Sequence, residues 1–280
     1  SFSENPTISI VPIQGEEFTR RLLTPLGESI PAFFYHQGIE PKLLLKLLVD
    51  SVVLRGERET VWYQGDFRKP DTGFTEFVDR IARLHRERRL DLGPLIFEES
   101  WDLAGAEPPS PVDLVGMLEQ GYQFHSQGGA GVVSRRVVGR QVLTNYDVAQ
   151  LSNEERRSLQ ERAQQYPTYF VLVDLRAHSA EEDAFQGWIK LRSFSSIVDA
   201  VAGAVSSDAE TTGAAPLQIM EATDAPSDSL FSVRYDGEDY FVPNDVEGGQ
   251  AEAFRVLHRL YQMTVAEVSA PALPAVTIAK

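Results

Sequence analysis

The chain has 280 residues, with 26 basic against 41 acidic side chains, a formal charge of −15 at neutral pH and a pI near 4.8. Without a concentrated basic face, that balance repels a polyanion before any base can be read, which argues against nucleic acid as a partner and against docking on an anionic membrane surface. Hydrophobic residues at 42% and aromatics at 10% suffice for a substantial core, so the chain is globular, as one large domain or two ordinary ones.

In chain order, residues 7–12 alternate as a strand would, and Gly15 releases the chain into the helix EEFTRRLL, stopped by Pro25. A second helix is expected over residues 40–54, apolar nearly all round and therefore deep in the core; its Lys46, Asp50 and Ser51 interrupt it too soon for a membrane span. VWYQ at 61–64 suggests a short strand. Phe74, Phe77, Val78, Ile81 and Leu84 form a helical stripe over residues 74–89, and PLIFEESW at 94–101 reads as a strand. The Ser110–Asp113 spacing starts a helix expected to reach about His125. After the glycines at 128, 129 and 131, VVSRRVVGRQVLTNY reads as a hairpin broken at Gly139. Ser152 and Glu155 have capping-box spacing ahead of a surface helix ending near Gln165.

Beyond Thr168 the pattern is strand YFVLVDLR, strand GWIKLRS, helix SSIVDAVAGAVS, strand LQIME, a hairpin turning at Asp236-Gly237, helix AEAFRVLHRLYQM and a final strand AVTIAK. Helices between strands imply an α+β fold, with mixed or antiparallel sheets, helices packed on one face and two subdomains. The boundaries are an N-terminal α/β region at 1–150, expected to lack an upstream segment, a polar linker helix at 151–167 and a C-terminal α+β region at 168–280.

Signals for chemistry are sparse. There is no cysteine, which removes disulfides, thiolate metal sites and thiol nucleophiles from this stretch of chain. His36, His85, His125, His178 and His258 show no HxxxH or HExxH pairing, and neither a metal nor a cofactor is expected. The best cluster is Asp174 and His178 with Glu181, Glu182 and Asp183, just after a strand end, although charge runs mostly face water. Glu98 and Glu99 are adjacent in a strand and point to opposite faces, so they cannot flank one bond. Gly128 and Gly129 sit in HSQGGAGVVS, which lacks the Lys of a phosphate loop, and reads as a helix exit with a minor possibility of a ligand held by backbone amides. Arg83, Arg86, Arg88 and Arg89 suit a helix C-terminus or, less readily, a docking face. Residues 206–252 hold 11 acids against Arg234 alone; without calcium-loop spacing they read as a turn and soluble surface.

The segment ENPTISIVPIQGEEFTRRLLTPL, residues 4–26, resembles a family of uncharacterised Gram-negative outer-membrane lipoproteins that carry PTI-x-x-x-P-x-QG-E-x-F-x-x-x-LL-x-P. The likeness continues in IEPKLLLKLLVDSV, IKLRSFSSIVDAV, VRYDGEDYFVP, AFRVLHRLYQM and LPAVTIAK. The resemblance implies a longer precursor with a signal peptide and a lipid-bearing Cys upstream, membrane attachment only through that anchor, and a place at the periplasmic side of the outer membrane. It implies no catalytic residues. Together these readings favour a non-enzymatic structural or interaction protein of the envelope, partnered by itself or by other envelope proteins. The competing expectation is a hydrolase or ligand-binding enzyme with a site around the 125–131 and 174–183 loops, drawing on His125, Gly128, Gly129, Asp174 and His178.

Overall fold

A computed structural model describes residues 15–55, 60–66, 71–102, 110–127, 130–177, 184–203, 216–244 and 249–266. Helices α1 (Glu16–Leu23), α2 (Ser29–His36), α3 (Pro41–Leu48), α4 (Thr72–Arg86), α5 (Pro111–Glu119), α6 (Asn153–Ala163), α7 (Phe194–Ala202) and α8 (Gln250–Ala266) are interleaved with ten strands. These are β1 (Val49–Arg55), β2 (Thr60–Gln64), β3 (Asp91–Asp102), β4 (Tyr122–Gln127), β5 (Ala130–Thr144), β6 (Phe170–Leu175), β7 (Phe185–Leu191), β8 (Met220–Ala222), β9 (Phe231–Tyr235) and β10 (Glu238–Val242). The fold is α+β. No helix among the described residues is long and apolar enough to cross a membrane.

A seven-stranded sheet runs β2-β1-β7-β6-β5-β3, with β4 beside the outer half of β5, and a separate antiparallel sheet runs β8-β10-β9. Among the described strands only β5 and β6 pair in parallel, because α6 carries the chain back between them. Alternation along β6 divides the core: Val171 and Val173 face α2, α3, α4, α7 and α8, while Phe170 and Leu172 face α6 with Trp188, Leu159 and Ala163. Burial on both sides makes β6 the sheet's central apolar run. Strands from either side of residues 151–167 therefore share one sheet, and the expected linker helix is a crossover packed on it.

The stripe of α4, the capping box of α6 and the hairpin turn are as expected; Asp236 and Gly237 both have positive φ, the backbone a two-residue hairpin requires. Other expectations need correction. The helix over 40–54 stops at Leu48 and becomes β1, because unbranched leucines give way to Val49, Val52 and Val53, whose branched Cβ suits a strand. The helix from Ser110 stops at Glu119, Gly121 turns the chain with positive φ, and His125 lies in β4.

The expected hairpin at Gly139 is absent, since β5 is continuous and its hairpin partner is β4. Gly139 instead belongs to a bulge, where the register with β3 shifts between Pro94 and Ile96. The extra residue leaves the Arg140 amide for the Gln160 side chain (2.8 Å), and a Cβ on Gly139 would strike that same side chain. α6 is less superficial than its composition suggests, with Leu159, Gln160 and Ala163 buried. Helix α2 was not anticipated, and the strands expected at 7–12 and 275–280 lie outside the described residues.

The junction of α3 and β1 has no loop, so the last helical carbonyls need outside donors. Arg192, just past β7 and only 5% exposed, supplies them. Its guanidinium donates to the carbonyls of Lys46 (3.2 Å), Leu47 (3.3 Å) and Gly65, and its backbone N–H to that of Leu48 (2.8 Å). Burial pushes the guanidinium pKa down, with Asp50 and Asp66 opposing; an arginine stays protonated regardless. Arg192→Met keeps the stem but removes the donors, and is expected to cost about 3 kcal/mol by stranding buried carbonyls. Urea denaturation checks this, and a loss under about 1 kcal/mol would show that other donors replace Arg192.

Candidate functional site

Of the candidate residues, Asp174 is fully described. Parallel pairing sets it beside Thr144 at the C-terminal ends of β6 and β5, the end of such a pair where α/β sheets gather ligands. Its carboxylate is buried, and both oxygens are engaged. Oδ2 accepts from the Tyr146 hydroxyl (2.5 Å) and Oδ1 from the Arg162 guanidinium (3.0 Å), while Arg176 approaches Oδ2 at 3.9 Å. The Arg176 guanidinium lies 4.0 Å from the centre of the Tyr146 ring and 3.8 Å from Glu155. Asn145 braces the cluster through two 2.8 Å bonds, donating to the Arg176 carbonyl and accepting from its amide.

Chemically, this cluster is a lock. Burial first, then the hydrogen bond and charge of Asp174, push the Tyr146 phenol well above its ordinary value, so it stays protonated at neutral pH. A general base needs a lone pair directed at a substrate, and here the carboxylate oxygens are turned to Tyr146 and the arginines.

His125 pairs with Val132, twelve positions along β5 from the Thr144 that pairs with Asp174. At about 3.3 Å per residue, the sheet places His125 and Asp174 roughly 40 Å apart along the strand rather than together. Gly128, Gly129 and His178 lie outside the described residues, as do Glu181, Glu182 and Asp183. Glu98 and Glu99 pair with Arg136 and Arg135 on opposite faces of the sheet, as their adjacency requires. Among the described residues, no three His, Asp or Glu side chains are arranged to hold a metal ion. A partly open apolar cavity of about 30 Å³ in the main core is walled by Leu44, Leu48, Ile81, Leu143 and Ile189, and the one hydroxyl at its edge, Tyr35, donates to the Leu90 carbonyl.

Two surfaces are better placed to meet another molecule. One is an open groove of about 600 Å³ beside α4, where Arg80, Arg83 and Arg86 rise over Tyr63, Phe77 and Phe185, with Glu76 and Asp79 on the same rim. The groove absorbs part of the basic run read from the sequence, and its mixed rim leaves it without a decided charge.

The other surface is the small sheet. Among the described strands, β9 alone has every residue exposed. Phe231, Val233 and Tyr235 share one face, opposite Val242, Tyr240 and Glu238 of β10. α8 covers only one end of that face: Val242 is buried in the core and Phe231 stacks on Phe254 (5.7 Å between ring centres). Val233 (49% exposed) and Tyr235 (71% exposed) continue past it into solvent. The strand's alternation was legible in the sequence, but its missing cover was not, since a half-buried and an uncovered strand read alike. Loss of hydration raises the Tyr240 phenol pKa, and the carboxylates of Glu221, Glu238 and Asp236 add to it, so this face carries a negative field.

Compared with protein-family models, curated proteins and solved structures, the chain matches none of them.

The lock sets a pH dependence. The Tyr146 pKa is higher folded than unfolded, so its contribution to stability is complete below about pH 10, the unfolded value, and is lost as pH rises toward the folded value. Tyr146→Phe is expected to lower stability at pH 7 by about 1–2 kcal/mol, and to fall less steeply than the parent above pH 10. Denaturation curves at pH 7, 9 and 11 measure both. Parallel slopes for the two proteins would contradict the lock.

Proposed function

We propose that this chain is a non-enzymatic interaction protein of the cell envelope, held at the periplasmic side of the outer membrane by an anchor outside this stretch, and that its partner docks on the β8-β10-β9 sheet. The envelope placement rests on the sequence resemblance alone. The docking role rests on one observation: Phe231, Val233 and Tyr235 line one face of an edge strand and are all exposed. Scattered single apolar residues are ordinary on a surface, whereas a contiguous row on an edge strand marks an interface or an aggregation hazard. Covering the exposed parts of these three side chains would return on the order of 3–5 kcal/mol. That is enough to anchor a complex when the surrounding rim is also matched.

The Asp174 cluster supports the same reading from the opposite direction. Its acid, phenol and guanidinium groups are spent on one another, where they tie α6 to the parallel strand ends.

A photocrosslinking residue at position 235 in cells is expected to give a discrete adduct in the envelope fraction. The double variant Val233→Lys, Tyr235→Lys is expected to lose partner capture at least tenfold. Its stability should stay within about 0.5 kcal/mol of the parent, since both sites are exposed. Adducts found only with cytosolic proteins, or capture unchanged in the double variant, would refute the proposal.

A further inference from the structure

We propose that the free edge of β9 receives an extended, positively charged segment of the partner by strand addition. This rests on the small sheet being the docking face, and it specifies the chemistry of what docks. β9 ends the β8-β10-β9 order, so among the described residues one of its edges has no neighbour in the sheet. In a two-residue hairpin the residues flanking the turn exchange both ladder bonds. With Tyr235 opposite Glu238, the amides of Phe231, Val233 and Tyr235 turn toward β10. Those of Ser232 and Arg234, with their carbonyls, turn outward. These are the groups an added strand bonds, while the row Phe231, Val233, Tyr235 offers alternate apolar contacts to its side chains.

Natural edges are usually blunted by lysine, proline, a bulge or an inward charge. β9 reads FSVRY, with regular pairing throughout. Its one cation is drawn back toward the turn, where the Arg234 guanidinium donates to the Gly237 carbonyl (3.2 Å). Among the described residues, no strand pairs along this edge.

Charge selects the occupant. Residues 206–252 carry 11 acids and one base, and Glu221, Asp236 and Glu238 stand around the aromatic face at Tyr240. A second copy pairing β9 with β9 would bring two such fields together, and an acidic strand would meet the same repulsion. A strand alternating lysine or arginine with apolar residues sets its apolar side chains beside Phe231, Val233 and Tyr235 and its cations on the opposite face, the side of Asp239, within the acidic field of this stretch. The five residues of β9 suit a partner segment of about that length.

The test titrates the full chain with the peptide Lys-Val-Lys-Val-Lys-Val-Lys and with its counterpart in which glutamate replaces every lysine. The basic peptide is expected to bind and the acidic one not. At saturation the amide exchange of Ser232 and Arg234 should slow at least tenfold, while that of Val233, already in the ladder, stays unchanged. Ser232→Pro blocks an outward amide without touching the pairing to β10 and is expected to weaken binding at least tenfold. A basic peptide N-methylated on alternate residues gives the same block without altering the protein. Equal binding of both peptides, indifference to both blocks, or a dimer that Ser232→Pro dissociates would overturn the proposal. If the basic peptide fails while position 235 still yields its envelope adduct, strand addition falls and the docking reading stands. Loss of both removes the docking reading as well.

Discussion

The architecture depends on Arg192 filling the carbonyls at the end of α3. A helix that passes straight into a strand leaves its last carbonyls in the core, where an unmet acceptor costs about 1–3 kcal/mol. One residue from much later in the sequence meets three of them, Lys46 and Leu47 through its side chain and Leu48 through its backbone N–H, and its carbonyl accepts from the Leu26 amide (2.8 Å). The first helices, the edge hairpin β1–β2 and the late strand β7 are thereby fastened at one point. The charge tolerates burial because these bonds are to backbone dipoles and two carboxylates lie within its field.

Polar chemistry elsewhere follows the same economy. Arg140 gives its guanidinium to Glu28 (2.5 Å) and to the carbonyls of Tyr166, Pro167 and Phe170 at 2.9–3.0 Å. Burial raises the Glu28 pKa, and Arg140 and the Gln141 amide pull it back. Asp174 is held in the same manner by Tyr146 and Arg162. In each case arginine is the donor that lets backbone or carboxylate sit inside, as its planar fork allows. Among the described residues these buried acids are engaged by arginine donors, and the docking face proposed above lies away from them, on the small sheet.

The sequence showed what local physics decides. The stripe of α4, the Ser152/Glu155 cap and the Asp236-Gly237 turn are each set by neighbouring residues. The junction at Leu48 was not legible because leucine and valine are equally apolar to a hydropathy pattern, and only branching at Cβ separates them. β4 was missed because an amphipathic stretch after Ser110 suits either a helix or a strand until Gly121 breaks it. Asp174 stood out as an acid after a strand end, yet Tyr146 and Arg162 did not: their meeting depends on the parallel pairing of β5 with β6, a contact no local spacing encodes. The exposure of β9 likewise depends on where α8 ends its cover, which is a tertiary fact.

The bulge at Gly139–Arg140 divides β5 into an inner half bound to β6 and an outer half bound to β4, with β3 running beside both. Bulges bend a strand, and here the bend is splinted from two directions by Gln160 and by the Arg140 clasp. The outer three strands thus leave the rest of the sheet at a bend whose extra residue is held by side chains from α6 and from the residue just before α2.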